Sequence, residues 1–192
     1  MKSIVCLFVC IFAGLANASI IYAPSGLTGT FQTENFDIHS GFGTDAGSQF
    51  AGITFGSGNA VENWGSGTTN LKQGVIGNIN PCCTDPTSFI FDFDLSDLAF
   101  AFFSNVQTTT FSAYLGGVFV ESASLSTNTS GNYVNVSGIN FDEIRITSTG
   151  NNDAYVLDDM QFRAAQVPEP TSIVLLGLGL VGLGFSRKKK AA

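Results

Sequence analysis

The stretch Phe89-Ile90-Phe91-Asp92-Phe93-Asp94-Leu95 alternates with period two, and no other segment constrains the fold as tightly. A strand turns successive side chains to opposite faces. Phe89, Phe91, Phe93 and Leu95 therefore share one face, and Ile90, Asp92 and Asp94 the other. Carboxylates at every second residue invite an active-site reading, but a solvated outer face over an aromatic core accounts for them more simply. Phe141, Ile144 and Ile146 carry a weaker version of the pattern, with Asp142, Glu143 and Arg145 on or near the surface. Eighteen Phe in a chain of 192 residues suggest an aromatic core between two sheets.

Around these segments, Gly, Ser, Thr and Asn punctuate short runs rich in Phe, Val and Ile, and helical periodicity is scarce. Strands are expected near Thr28–Phe36, Gln49–Gly56, Lys72–Ile76, Thr87–Leu95, Leu98–Asn105, Thr109–Leu115, Val118–Ser124, Asn132–Val136, Asn140–Thr147 and Ala154–Arg163. Gly116-Gly117 has the composition of a tight hairpin turn, and Gly150-Asn151-Asn152-Asp153 that of the loop before the last strand. The fold class is all-β, and strands at this spacing favour a jelly-roll-like β-sandwich over a small closed barrel.

Both ends of the chain are expected to be processing segments. At residues 1–18, Lys2 precedes the apolar stretch Ile4 to Leu15, and Ala16-Asn17-Ala18 has the small-x-small form of a signal-peptide cleavage site. Cleavage after Ala18 leaves a body of residues 19–166. At the other end stand Val167, Pro168, Glu169, Pro170 and Thr171 (residues 167–171). An apolar segment at 172–186 and the basic residues Arg187, Lys188, Lys189 and Lys190 follow. The two prolines lack amide protons and end any preceding strand. As a helix, Ile173 to Phe185 spans roughly 20 Å, short of the ~30 Å hydrocarbon core, and snorkelling basic side chains cover part of the gap. The basic end stays cytoplasmic. Residues 167–192 resemble the PEP-CTERM sorting signal of Gram-negative bacteria that make extracellular polysaccharide. The resemblance implies a single transmembrane helix as transient inner-membrane anchor, an exosortase that recognises and cuts near the triplet, and a destination in the cell envelope, cell surface or extracellular matrix.

Between Ser19 and Gln166 the only basic residues are Lys72, Arg145 and Arg163, against fourteen acidic ones, a formal −11. Such a body repels nucleic acid and anionic lipid and is compatible with calcium or neutral glycans. Only Cys82 and Cys83 remain after signal removal, adjacent and loop-like, so no disulfide scaffold supports the fold. With the lone His39 they do not make a zinc site, which needs spaced ligands. No GxSxG, HExxH or phosphate-binding glycine loop appears. A glycosidase needs two carboxylates facing across a cleft, and nothing in the sequence selects a pair.

Thr33-Glu34-Asn35-Phe36-Asp37, Ala51-Gly52-Ile53-Thr54-Phe55-Gly56-Ser57 and Asp153-Ala154-Tyr155-Val156-Leu157-Asp158-Asp159-Met160 carry a second resemblance. Their arrangement looks like the jelly-roll domains common in PEP-CTERM proteins and is loosely similar to carbohydrate-binding modules. It implies a structural calcium held by an acid near the first strand and an Asp of the last. Glu34 and Asp158 are the first candidates here, with Asp159 and Asp37 behind them; plain surface acids account for all four equally well. Alternation along the last strand places Asp159 with Tyr155 and Leu157. For glycan binding, Trp64 in its Gly-rich setting is the candidate platform, with Tyr114 and Tyr133 as others, although a single Trp is more often part of a core. Asn128-Thr129-Ser130 and Asn135-Val136-Ser137 match the N-glycosylation pattern incidentally.

The sequence thus points to an exported, non-enzymatic surface protein, structural or glycan-binding within extracellular polysaccharide. The alternative is a surface glycan hydrolase using a carboxylate pair.

Overall fold

The computed structural model describes residues 19–37, 46–63, 70–71, 74–77, 87–105, 108–127, 130–148 and 155–166. The expected signal peptide, the sorting segment, His39, Trp64 and the Cys82-Cys83 pair lie outside them. Among the described residues there is no helix, and none therefore long and apolar enough to cross a membrane. The all-β expectation holds.

The described residues form ten strands: β1 (Ser19–Ala23), β2 (Gln32–Glu34), β3 (Ile53–Phe55), β4 (Ala60–Asn63), β5 (Gly74–Gly77), β6 (Thr87–Ser104), β7 (Thr109–Leu115), β8 (Val118–Leu125), β9 (Tyr133–Ser148) and β10 (Tyr155–Ala164). They make one antiparallel sheet in the order β4-β5-β10-β6-β9-β7-β8, with β1 added to β9, β2 to β10 and β3 to β6. Two expected breaks do not occur. The Thr87–Leu95 and Leu98–Asn105 segments are one strand, β6, and the Asn132–Val136 and Asn140–Thr147 segments are one strand, β9. Two strands absent from the sequence reading, β1 and β4, restore the number to ten.

These two long strands carry the architecture because each serves different neighbours along its length. The first part of β6 pairs with β3 on one side and the end of β9 on the other. Its later part pairs with β10 and with the start of β9. β9 likewise takes β1 at its start and β7 at its end. The sheet therefore has two halves joined through β6 and β9.

The alternation at Phe89–Leu95 survives as expected. Phe89, Phe91 and Leu95 are buried, Asp92 and Asp94 are exposed, and Ile90 is largely exposed. Phe93, half-buried, packs on Phe91 and Phe162 at 5.9 and 5.7 Å between ring centroids. The rings run on through the core. Phe36 meets Phe50 at 4.9 Å, Phe89 meets Phe100 at 5.3 Å, and Phe102 meets Phe111 at 5.0 Å, all edge to face. That geometry sets ring edges against ring faces and adds about 0.5–1.5 kcal/mol per pair beyond simple burial.

The Gly116-Gly117 turn joins β7 to β8 as expected, with Leu115 opposite Val118 and both glycines at positive φ (56° and 77°). Only residues tolerant of that region fit a two-residue hairpin turn of this hand.

Candidate functional site

The pairing of the two long strands, β6 and β9, breaks in the middle of both. From Ile90 opposite Glu143 to Leu95 opposite Phe141, five residues of β6 advance against two of β9; from there to Asp97 opposite Ser137, two of β6 advance against four of β9. Each strand bulges in turn, and extra residues in one strand bend it and raise its twist. The surplus on β6 is used: Asp92 N–H donates to the Gly52 carbonyl at 3.0 Å, and Asp94 accepts from the Ala165 N–H at 2.7 Å. The surplus on β9, Gly138 to Asn140, has no register partner on β6. Gly138 sits at φ 77°, a conformation for which glycine is suited.

At this bend lies a shallow, open hollow of about 510 Å³ lined by Ser96, Asp97, Gly138, Ile139 and Asn140. Ile139 is half-buried and packs partly on the core; Asn140 is exposed. Asp97 is held from two sides. Ser96 Oγ donates to its Oδ2 at 2.9 Å, and Arg163 Nη1 lies 3.2 Å from the same oxygen. Arg163 is itself fixed: its Nε donates to the Thr30 carbonyl at 2.8 Å and its Nη2 to the Thr28 carbonyl. Sequence reasoning did not single out these residues. The available signal was a pair of small, polar interruptions, Ser96-Asp97 and Ser137-Gly138, in two runs otherwise fit to be strands.

The segment before β2, expected as strand from Thr28, instead runs across the sheet. Leu27 N–H donates to Gln161 Oε1 at 2.9 Å, and Asn135 Nδ2 donates to the Ser25 carbonyl at 3.1 Å. The Asn135 sequon is thus tied into the sheet. Ala99 and Ala101, both buried, belong with Leu27, Val156 and Tyr133 to a small apolar cluster separate from the main core.

The candidate calcium residues meet protein donors. Asp158 is 1% exposed, and its Oδ1 accepts from the Asp159 N–H at 2.6 Å. Asp159 Oδ2 accepts from the Tyr133 hydroxyl and, at 2.9 Å, from Gln161 Nε2. Glu34, on β2 opposite Met160 of β10, accepts from the Phe36 N–H at 3.2 Å. Asp37 is exposed. Calcium takes six to eight oxygens, and among the described residues no three acidic, His or Cys side chains converge on a common point.

Asp159 also departs from the expected alternation. It has φ 43°, and the register with β6 slips between Asp158 and Gln161. The extra residue shifts the phase of β10, so Tyr155, Leu157, Met160 and Phe162 line the core and Asp159 turns to Tyr133. Burial, then the hydrogen bond to Asp159, raises the Tyr133 hydroxyl pKa well above its ordinary value. With its hydroxyl so engaged and only 7% exposed, Tyr133 is no sugar platform.

Tyr114, the other tyrosine candidate, sits near the β7–β8 turn. The Arg145 guanidinium lies 3.8 Å from its ring centroid, and Phe119, 55% exposed, meets it at 5.8 Å. Glu143 grips Arg145 through two hydrogen bonds of 2.7 and 3.0 Å, which raise the guanidinium pKa further. Glu143 is more buried than expected, at 8% exposure. Asp142 accepts from the Gly116 N–H at 2.8 Å, anchoring the turn.

Comparison with known proteins gives a clear result at one end of the chain. The PEP-CTERM protein-sorting motif matches residues 166–188. No curated protein matches. Among solved structures, the chain is similar to the one titled "Crystal structure of Agl-KA catalytic domain", at 13% identity and a TM-score of 0.43. The match covers 79% of this chain and 31% of that one, and so weak a likeness says nothing about function. The sorting motif marks an exported protein, sorted by an exosortase and anchored at the cell envelope.

Proposed function

We propose that this protein is a non-enzymatic, glycan-binding component of the cell envelope or extracellular matrix, delivered by an exosortase and released from its membrane tail by cleavage. The observation that carries the reading is the sorting motif at residues 166–188 joined to an all-β body. On this reading the folded-over sheet is a jelly-roll-like β-sandwich whose layers are joined through β6 and β9. The charge of the body suits a polysaccharide environment, since fourteen carboxylates against three basic side chains disfavour nucleic acid and anionic lipid. Among the described residues the hollow at the bend is lined by one carboxylate, Asp97, where glycoside hydrolysis uses two facing each other.

The delivery step is tested with Glu169→Ala in the full chain. The variant is expected to accumulate uncleaved in the inner membrane while the wild type leaves it. A variant that reaches the exterior with its tail removed at the normal rate refutes the sorting mechanism.

A further inference from the structure

We propose that the hollow at the β6–β9 bend is a subsite for one ring of a neutral sugar, held by Asp97 and Asn140. The proposal rests on the glycan-binding reading and gives it a place and a ligand class.

The first argument is the cost of the bend. Both central strands lose register within a few residues, and Gly138 to Asn140 leave the ladder with β6. Backbone polar groups that leave a ladder need other partners, and bulges of this kind collect beside functional sites, where they re-aim side chains. The second argument is the chemistry of the walls. A sugar ring carries neighbouring hydroxyls, each both donor and acceptor, around an apolar C–H surface. Asp97 supplies an acceptor: its protein contacts among the described residues fall on Oδ2, which leaves Oδ1 for a ligand hydroxyl. The exposed Asn140 carboxamide both donates and accepts, and Ile139 offers apolar contact.

The third argument is preorganisation. Arg163 holds the Asp97 carboxylate while its other two nitrogens are spent on Thr30 and Thr28. The acceptor is fixed before any ligand arrives, so little ordering remains to be done on binding.

Charge then selects the class. A uronate or sulfated ring would bring its anion beside Asp97 in a body of strong negative charge. Arg163, the cation next to the hollow, already has all three guanidinium nitrogens engaged. A neutral ring meets no such repulsion.

The test uses the exported, processed protein. Binding is measured to immobilised neutral polysaccharides (glucan, galactan, mannan) and uronate polysaccharides (alginate, polygalacturonate), for wild type, Asn140→Ala and Asp97→Asn. Melting curves accompany each. Asn140 is exposed, so its variant is expected to melt with the wild type and carries the test if Asp97→Asn, which loses the Arg163 pair, fails to fold. Binding confined to neutral polymers, and about tenfold or more weaker in Asn140→Ala, supports the subsite. Neutral binding unchanged in Asn140→Ala overturns the subsite while glycan binding stands. Preference for uronates overturns the ligand class. Failure of the wild type to bind any polymer removes the glycan-binding reading and the subsite with it.

Discussion

Asn59 offers a sharp test of how this sheet is held together. It lies in the turn between β3 and β4 and is 2% exposed. Its Nδ2 donates to the Gly56 carbonyl at 3.0 Å and to Thr87 Oγ1, and its Oδ1 accepts from the Tyr155 hydroxyl at 2.5 Å. One side chain thus ties that turn to the first residues of both β6 and β10. Thr87 and Tyr155 are themselves buried. Asn59→Ala removes three hydrogen bonds from a site closed to water. At about 1 kcal/mol net for each, with a further penalty where a buried group loses its partner, the expected cost is about 3–4 kcal/mol. That is a large share of the ~5–15 kcal/mol that holds a domain of this kind folded. Tyr155→Phe keeps the ring, which stacks on Phe102 at 5.5 Å, and removes only the hydroxyl, at about 1–2 kcal/mol. The discriminating variant is the double one. Once Asn59 is Ala, deleting the Tyr155 hydroxyl no longer breaks that bond, so the double variant is expected to cost about 1 kcal/mol less than the two singles together. Urea unfolding of the exported protein and its three variants gives the values. Additivity within 0.3–0.5 kcal/mol would show that the bond does not couple the two strands, and a cost for Asn59→Ala of under about 1 kcal/mol would refute the network outright.

Two further outcomes concern Tyr133 and the segment before β2. The Tyr133 hydroxyl holds its proton more tightly folded than unfolded, so its contribution is fully present below the ordinary value of about 10 and is lost as pH rises through the folded one. The wild type is therefore expected to lose urea resistance above about pH 10 more steeply than Tyr133→Phe; equal slopes would refute this. A Cβ at Gly26 would run into the Gln161 carboxamide, which cannot yield without breaking its bonds to Leu27 and Asp159. Gly26→Ala is expected to cost about 1–3 kcal/mol by overpacking, read as a lowered urea midpoint, and an unchanged midpoint would show the segment before β2 free to lift.

Much of the fold was legible in the sequence where one face alone decides a residue's place. Phe89 to Leu95 and Gly116-Gly117 needed only period two and turn chemistry. The misreadings share a different cause. Ser96-Asp97 and Ser137-Gly138 look like chain reversals, but a bulge that bends a strand and a turn that ends it use the same small and polar residues. The partner strand's register decides between them, and register is a tertiary property. Asp159 is the same problem on one residue: a bulge at positive φ reverses the in–out phase of everything after it. The short strands β1 and β4 depend on β9 and β5 to exist as strands at all. The hollow was hidden for the same reason, since Asp97 and Asn140 line one hollow only because a bulge in β6 is followed at once by a bulge in β9.

The position of β10 has a consequence in time. It lies inside the sheet, between β6 on one side and β2 and β5 on the other, yet among the described residues it is the last strand in sequence. A chain exported N-terminus first delivers β2, β5 and β6 with their β10-facing edges bare, and such edges are where exported chains aggregate. The sheet closes only when Tyr155–Ala164 has crossed, and the sorting motif begins at residue 166. On the delivery proposed above, membrane capture and the final step of folding would therefore fall almost together. A chain arrested in that way would hold β10 beside the open slot, separated from other copies while that slot is filled.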